Sequence, residues 1–311
     1  MPRVAIIGSG LIGRAWAMVF ARAGWEAALY DAVEGVADKA LDLVAEGLNE
    51  LADHGLVDDP KGSAARVRAA KSIADALDGA SYVQENVPET VEAKRAIFAE
   101  LDALASPDAI LASSTSAIVA SLFTENLAGR ARCLVAHPVN PPHLVPIVEL
   151  VGAPWTTPET IARAKQVYEQ IKQVPIVVRR EIEGFILNRL QGALLAEAFR
   201  LVGEGYVSPQ DLDKTIKDGL GLRWSFMGPF ATIELNAPGG IADYCARYTA
   251  FYKRLQAKPA GVEVFEDANI ATILREWGKQ AGPEELAALT RWRDQRLAAL
   301  AAHKKEQRAS D

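Results

Sequence analysis

Sulfur is scarce in this 311-residue chain, which has two cysteines and three methionines. Cys133 and Cys245 stand far apart, with neither the ligand spacing of a zinc site nor a C-x-x-C redox pair. Neither a disulfide scaffold nor a cysteine-ligated zinc site is therefore expected, no metal is predicted, and reduced, structural thiols are the expectation. Long apolar runs are missing too: the longest, such as 133–136 and 174–178, fall far short of the roughly 18 residues that a membrane span needs. Basic residues are outnumbered, 34 Lys and Arg against 40 Asp and Glu. The net charge of −6 argues against a broad basic surface for nucleic acid, while leaving room for a local anion pocket. Internal repeats and low-complexity tracts are also lacking. Met1-Pro2-Arg3 runs straight into an apolar segment without the regions of a signal peptide, so a cytoplasmic protein is expected. Half of the residues are hydrophobic and 24% are charged, as in an ordinary globular protein, and at roughly 150 residues per domain the length suits one large domain or two ordinary ones.

The apolar, β-branched segment 3–7 meets Gly8, Gly10 and Gly13, and a helical run over 11–23 follows. A second strand over 26–30 ends at Asp31 and leads into an alanine-rich helical stretch over 33–55, which completes the order of a βαβ unit. Further strands are predicted at 67–70, 81–84, 110–113, 133–136, 147–151 and 176–178, with helices between most of the earlier ones. This alternation predicts an α/β fold, a doubly wound, mostly parallel Rossmann-type sheet covered on both faces. After about Arg180 helical periodicity takes over, at 185–204, 209–220, 239–258 and 283–303. The expected division is thus a nucleotide-binding domain over 1–180 and a smaller all-α domain over 181–311. The tract His303-Lys304-Lys305-Glu306 reads as a fraying, solvated tail.

Gly8-Ser9-Gly10-Leu11-Ile12-Gly13 fits G-x-G-x-x-G, in which the first glycine allows a tight turn, the second admits a pyrophosphate to the backbone and the third lets helix pack on strand. Leu11 and Ile12 open a helix whose unpaired N–H groups and positive dipole end favour a phosphate. Three glycines alone could be a flexible loop, but these follow the first strand, open a helix and precede Asp31 by 18 residues. A carboxylate there accepts from ribose hydroxyls and repels an additional phosphate, which favours NAD over NADP. Asp31 as a helix cap or turn residue is the alternative, and Arg14 is either a solvated helix residue or a contact for that extra phosphate.

Dinucleotide binding does not fix a reaction. Ser113-Ser114-Thr115-Ser116, His137-Pro138-Val139-Asn140-Pro141-Pro142, Glu149 and Phe185-Ile186-Leu187-Asn188-Arg189 all follow or end predicted strands or open the helical half, where α/β sheets gather ligands. A histidine there, oriented by a carboxylate, can take a hydroxyl proton during hydride transfer. A satisfied structural histidine and a surface glutamate are the plainer alternative for His137 and Glu149. His54 and His303 lack such a setting, and His143 either packs or lines a pocket. Glu89 and Lys94 by themselves are charged residues around a helix start.

The glycine motif with Asp31, Ser-x-Thr-Ser, H-P-x-N-P, the glutamate twelve residues beyond the histidine and G-F-x-x-N-R at 184–189 resemble the 3-hydroxyacyl-CoA dehydrogenase family. The resemblance implies nicotinamide-dependent oxidation of a 3-hydroxyl by a homodimer. It implies His137 as general acid/base, Glu149 as its orienting partner, and Ser116 and Asn188 on the reacting oxygen. Asn140 would buttress the site, and Glu89 and Lys94 would lie near the nicotinamide ribose.

Residues 221–229 read G-L-R-W-S-F-M-G-P where hydroxyacyl-CoA members usually carry a Gly-Tyr-Pro-Met-Gly-Pro type segment, a departure that points away from a CoA ester. The tetrad likewise has Ser114 where many members have asparagine. The L-R-W-S-F segment, with V-S-P-Q-D-L-D at 207–213 and D-Y-C-A-R-Y at 243–248, is similar to the lambda-crystallin and L-gulonate 3-dehydrogenase branch. That likeness implies a small 3-hydroxy acid, with L-gulonate as the first expectation. Arg223 would grip its carboxylate, or else packs as an ordinary surface arginine. L-carnitine dehydrogenases share a similar segment; Trp224, Phe226 and Tyr244 could supply aromatic walls for a trimethylammonium group, although core packing is the commoner use of such rings. A fold recruited as a non-catalytic, crystallin-like structural protein is the rival from a different class. A lysine-dependent β-hydroxyacid dehydrogenase is disfavoured by the H-P-x-N-P motif.

Overall fold

A computed structural model describes residues 1–308. Eight strands, β1 (Arg3–Ile7), β2 (Glu26–Tyr30), β3 (Val67–Ala69), β4 (Tyr82–Glu85), β5 (Ile110–Ser113), β6 (Cys133–Pro138), β7 (Ile147–Gly152) and β8 (Val174–Val178), form one sheet in the order β3-β2-β1-β4-β5-β6-β7-β8. Every pair is parallel except β6 with β7, which run antiparallel. The doubly wound α/β expectation therefore holds, with strand order reversing between β1 and β4. Ligands bind beyond the carboxyl ends of strands at such a switch point.

Strand periodicity divides the core between the two faces. Val4, Ile6, Ile110, Ala112, Leu134 and Ala136 pack on one side, whereas Ala5, Ile7, Leu111, Cys133 and Val135 pack on the other. Central strands buried on both faces read as unbroken apolar runs, which is why the sequence betrays them. The helices of this region are α1 (Leu11–Arg22), α2 (Val36–Asp53), α3 (Pro60–Ala64), α4 (Ile73–Leu77), α5 (Val91–Leu104), α6 (Ser121–Thr124) and α7 (Pro158–Gln170). Thr90 caps α5 by accepting from the Ala93 amide, and Thr157 caps α7 ahead of Pro158. Helix α1 begins at Gly10 with no side-chain cap.

The remaining helices are α8 (Leu187–Gly203), α9 (Pro209–Lys214), α10 (Gly221–Trp224), α11 (Pro229–Leu235), α12 (Gly240–Leu255), α13 (Asp267–Trp277) and α14 (Pro283–Arg308). The described chain divides into two compact units, Met1–Leu187 with 286–308, and Asn188–Glu285. The second unit is thus shorter than the expected 181–311, because α14 joins the first: Ala298 is buried in its core and Leu297 packs beside it. The tract 303–306 is no frayed tail either, since it is helical and Lys305 Nζ donates to the Gly55 carbonyl at 2.9 Å. The helix expected over 209–220 widens into a π-helix at Thr215–Leu220. Cys133 is buried as expected, whereas Cys245 is exposed on α12. Trp224 and Phe226 are exposed as well, 42% and 72%, so they are not core rings of the second unit. Among the described residues no helix is long and apolar enough to cross a membrane.

Candidate active site

The glycine loop follows β1 at the switch point. Gly8 has φ +92°, a left-handed conformation that a side chain would strain, and a Cβ there would lie 2.7 Å from the Asn86 carbonyl oxygen. A Cβ on Gly13 would lie 1.9 Å from the Gly8 carbonyl oxygen, whereas one on Gly10 would meet nothing within 4 Å. Two glycines are thus demanded by the fold, and Gly10 leaves open space over the uncapped first turn of α1, the helix that Leu11 and Ile12 begin. Asp31 Oδ2 accepts from the Ser9 amide at 2.8 Å and Oδ1 from the Val33 amide at 3.0 Å, so it ties the loop to the end of β2. Both its turn role and its place beside the loop are real. An open cradle, uncapped amides and a neighbouring carboxylate fit the pyrophosphate and adenosine ribose of NAD.

The ends of β4 and β5 are clasped residue by residue. Glu85 and Ser113 are register partners, and Ser113 Oγ donates to Glu85 Oε2 at 2.6 Å. Glu89 Oε1 accepts from Thr115 Oγ1 and from the amides of Ser116 and Ala117 at 3.0 and 3.2 Å, which orders the turn carrying Ser116. Lys94, expected near the nicotinamide ribose, is 1% exposed. Its ammonium donates to both oxygens of Glu85, at 2.7 and 3.0 Å, and to the Val87 carbonyl at 3.0 Å, which uses all three of its hydrogens. Glu85 was invisible to motif reading, because a buried glutamate at a strand end looks the same in sequence as a solvated one. Burial raises its carboxyl above the ordinary value of 4.5, against the pull of Lys94, Ser113 and the Val87 amide.

His137 and Glu149 are brought together by sheet register. They face each other across the antiparallel β6–β7 pair, and directly opposed residues project from the same face. His137 Nδ1 lies 2.8 Å from Glu149 Oε2, with the residues 5% and 0% exposed. Glu149 Oε1 accepts from the amides of Ile186 and Leu187 at 2.8 and 3.0 Å. Burial pushes this carboxyl up, but the hydrogen bonds from His137, Ile186 and Leu187 outweigh it and hold Glu149 below 4.5. An ionised Glu149 accepts the Nδ1 hydrogen and leaves the Nε2 lone pair to take a proton. Phe185 completes this arrangement. Its amide closes a turn onto the Ile182 carbonyl at 3.1 Å, Gly184 and Phe185 have φ of 73° and 48°, and the buried Phe185 ring stands 5.3 Å from the imidazole. The G-F pair marked this place in the sequence, but only the backbone reveals that a phenylalanine takes up a left-handed conformation there.

Asn140 is exposed in the β6–β7 connection. Asn188, half-buried in the first turn of α8, and Arg223, exposed on α10, belong to the second unit. His143 is removed from the dyad's chemistry. With His54, Asp53, Arg291 and Asp294 it lines a cavity of about 160 Å³ that none of the predicted catalytic residues lines.

A mostly parallel sheet with a glycine cradle at its switch point and a buried histidine–carboxylate pair defines a nicotinamide-dependent dehydrogenase of hydroxyl groups. Residues 3–182 match the 3-hydroxyacyl-CoA dehydrogenase NAD binding domain and residues 184–272 the C-terminal domain of the same family. The chain belongs to the 3-hydroxyacyl-CoA dehydrogenase family. It is 41% identical to lambda-crystallin of Oryctolagus cuniculus over 97% of this chain and 96% of that protein. It is 35% identical to an L-carnitine dehydrogenase of Pseudomonas putida over 98% of this chain and 95% of that one. Among solved structures it resembles an NAD+ dependent 5-formyl-3-hydroxy-2-methylpyridine 4-carboxylic acid 5-dehydrogenase, with a TM-score of 0.79 and 28% identity over 96% of this chain and 97% of that one. The cofactor is NAD, and the protein is an NAD-dependent dehydrogenase.

Proposed function

We propose that this enzyme oxidises the 3-hydroxyl of a small 3-hydroxy acid, with L-gulonate to 3-dehydro-L-gulonate as the leading reaction. The observation that carries the chemistry is the buried His137–Glu149 pair at 2.8 Å. Glu149 keeps Nδ1 protonated, so Nε2 receives the hydroxyl proton, and the ionised carboxylate stabilises the imidazolium that forms. NAD, when bound, accepts the hydride from the carbinol carbon. Gly8, Gly10, Gly13, Leu11, Ile12 and Asp31 hold the coenzyme, and Glu89 orders the backbone of Ser116. Ser116 and Asn188 hydrogen-bond the reacting oxygen, and Asn140 buttresses them.

A small acid rather than a CoA ester is supported by the likeness to lambda-crystallin over nearly the whole chain and by Arg223. Among the described residues that guanidinium has no hydrogen-bonded or ion-paired partner, so it is free to grip a carboxylate. L-Carnitine is the second reading, favoured by the 35% identity to its dehydrogenase and by the ring cluster of Tyr244, Tyr248 and Tyr252 on α12. The enzyme works in the cytoplasm as a homodimer; the association is supported by the exposed Leu190, Phe230, Leu235 and Phe251 of the second unit.

The test follows NADH formation with L-gulonate, L-carnitine, L-3-hydroxybutyrate and L-3-hydroxybutyryl-CoA. Preference for L-gulonate supports the proposal, and activity on the CoA ester alone overturns the small-acid reading. His137→Ala should abolish turnover and leave NADH affinity within about twofold; parallel loss of both would count against the assigned role of His137.

A further inference from the structure

Ser114, the second residue of the tetrad, takes no part in the proton chemistry, yet its hydroxyl is fully engaged. A serine hydroxyl has one hydrogen to give and two lone pairs. Here Oγ accepts from Trp16 Nε1 at 3.0 Å and from Gln84 Nε2 at 2.7 Å, and donates to Asn86 Oδ1 at 2.7 Å. On one side Tyr82 OH donates to Tyr168 OH at 3.1 Å, and Tyr168 OH donates to Gln84 Oε1. On the other, Asn86 Nδ2 donates to the Ile7 carbonyl at 3.3 Å and the Gln84 carbonyl at 2.9 Å. The donors of Tyr82, Tyr168, Gln84, Ser114 and Asn86 therefore run in one direction and finish on the carbonyl just before Gly8. No member can turn without unpairing its neighbours, so the network selects one arrangement.

Both walls of the glycine cradle hang on this hydroxyl. Asn86 is one: its backbone is what a Cβ on Gly8 would strike, and its amide donates to Ile7 O at 2.7 Å. Trp16 belongs to the other, α1, whose uncapped first turn faces the cradle, and its fully buried ring fixes how that helix sits. Apolar packing would stabilise the same core as well, since replacing all partners of a buried hydrogen bond by apolar groups is nearly neutral. What a satisfied polar hub adds is a single geometry. We propose that Ser114 is a positioning residue for the coenzyme, setting the end of β4 against the start of α1 and so the shape of the pyrophosphate cradle. This rests on the chain binding NAD and not on the identity of the hydroxy acid.

The experiment titrates the full-length protein with NADH by nicotinamide fluorescence, alongside Tm. Ser114→Ala should weaken NADH about tenfold, and Ser114→Thr, which keeps the oxygen, should recover affinity to within about threefold. Val151→Ala, in β7 and three strands from β4, is the control: it lowers Tm and leaves the NADH Kd unchanged. Wild-type affinity in folded Ser114→Ala, or an equal loss in Val151→Ala, would overturn the proposal. Should Ser114→Ala fail to fold, Tyr168→Phe removes the donor to Gln84 Oε1 and the acceptor of Tyr82 OH while leaving Ser114 in place; an affinity loss of about threefold supports the proposal and an unchanged Kd overturns it. A wild-type protein that does not bind NADH at all would remove the coenzyme reading itself.

Discussion

Glu149 holds the imidazole of His137 with one carboxylate oxygen, at 2.8 Å, and the amides of Ile186 and Leu187 with the other. The two amides are fixed donors, so Glu149→Gln keeps its oxygen on them and turns its NH2 group to His137, which accepts it only by carrying its hydrogen on Nε2, the tautomer that cannot take the hydroxyl proton. Turnover should fall about 10²- to 10⁴-fold, the range for general acid/base catalysis, while NADH binding is retained. The carboxyl is held below 4.5 in the folded protein, so its contribution to stability is complete above that pH and disappears as pH falls through the folded value. The Tm gap between wild type and Glu149→Gln should therefore narrow below pH 4.5; a gap constant to pH 3 would contradict the assigned ionisation.

The two glycines that flank the cradle should fail differently. Gly13→Ala places its Cβ 1.9 Å from the Gly8 carbonyl oxygen, backbone that cannot retreat, and should lower Tm or prevent folding. Gly10→Ala meets nothing within 4 Å and should keep its Tm, while losing NADH affinity by more than about tenfold because the methyl occupies coenzyme space. Equal Tm losses in urea-free melts would show that both glycines serve folding alone.

Lys94 and Glu85 form a buried pair, 1% and 0% exposed, and removing one partner strands the other. Lys94→Met should destabilise by about 3–5 kcal/mol in urea unfolding. Lys94→Met with Glu85→Leu should recover part of that loss, since hydrophobic replacement of a buried pair is often neutral, the remainder being the Ser113 hydroxyl and Val87 amide that Glu85 no longer accepts from. A double variant as unstable as the single one would refute this account.

His143 gives a second pH dependence, of the same sign as that of Glu149. Burial, followed by repulsion from the Arg22 guanidinium, lowers it from 6.5 to about 4, with Asp294 opposing and Arg293 reinforcing. The unfolded chain takes up a proton between pH 6.5 and about 4 that the folded one refuses, so stability drops as pH falls through that window. His143→Gln should flatten Tm across it; an unchanged slope would assign the acid sensitivity elsewhere.

The alternation of β and α elements, the glycine cradle with Asp31 and the residues of the dyad are legible along the chain, because each is written in local periodicity or in a motif with fixed spacing. The antiparallel direction of β6 and β7 is legible, since the connection 139–146 is too short for a parallel crossover, but the register that opposes His137 to Glu149 is set by the pairing itself. Nothing local announces that Lys94 turns inward to Glu85, that Ser114 joins Trp16 to Asn86, or that Phe185 adopts φ 48° against His137. A lysine on a helix face, a serine at a strand end and a phenylalanine after glycine look the same whether solvated or buried. Their partners are 9, 98 and 28, and 48 positions away, and only packing decides which meet. The return of α14 to the first unit is of the same kind: an alanine-rich, charged helix has no strong apolar face to declare where it docks, and burial of Ala298 in a distant core settled it.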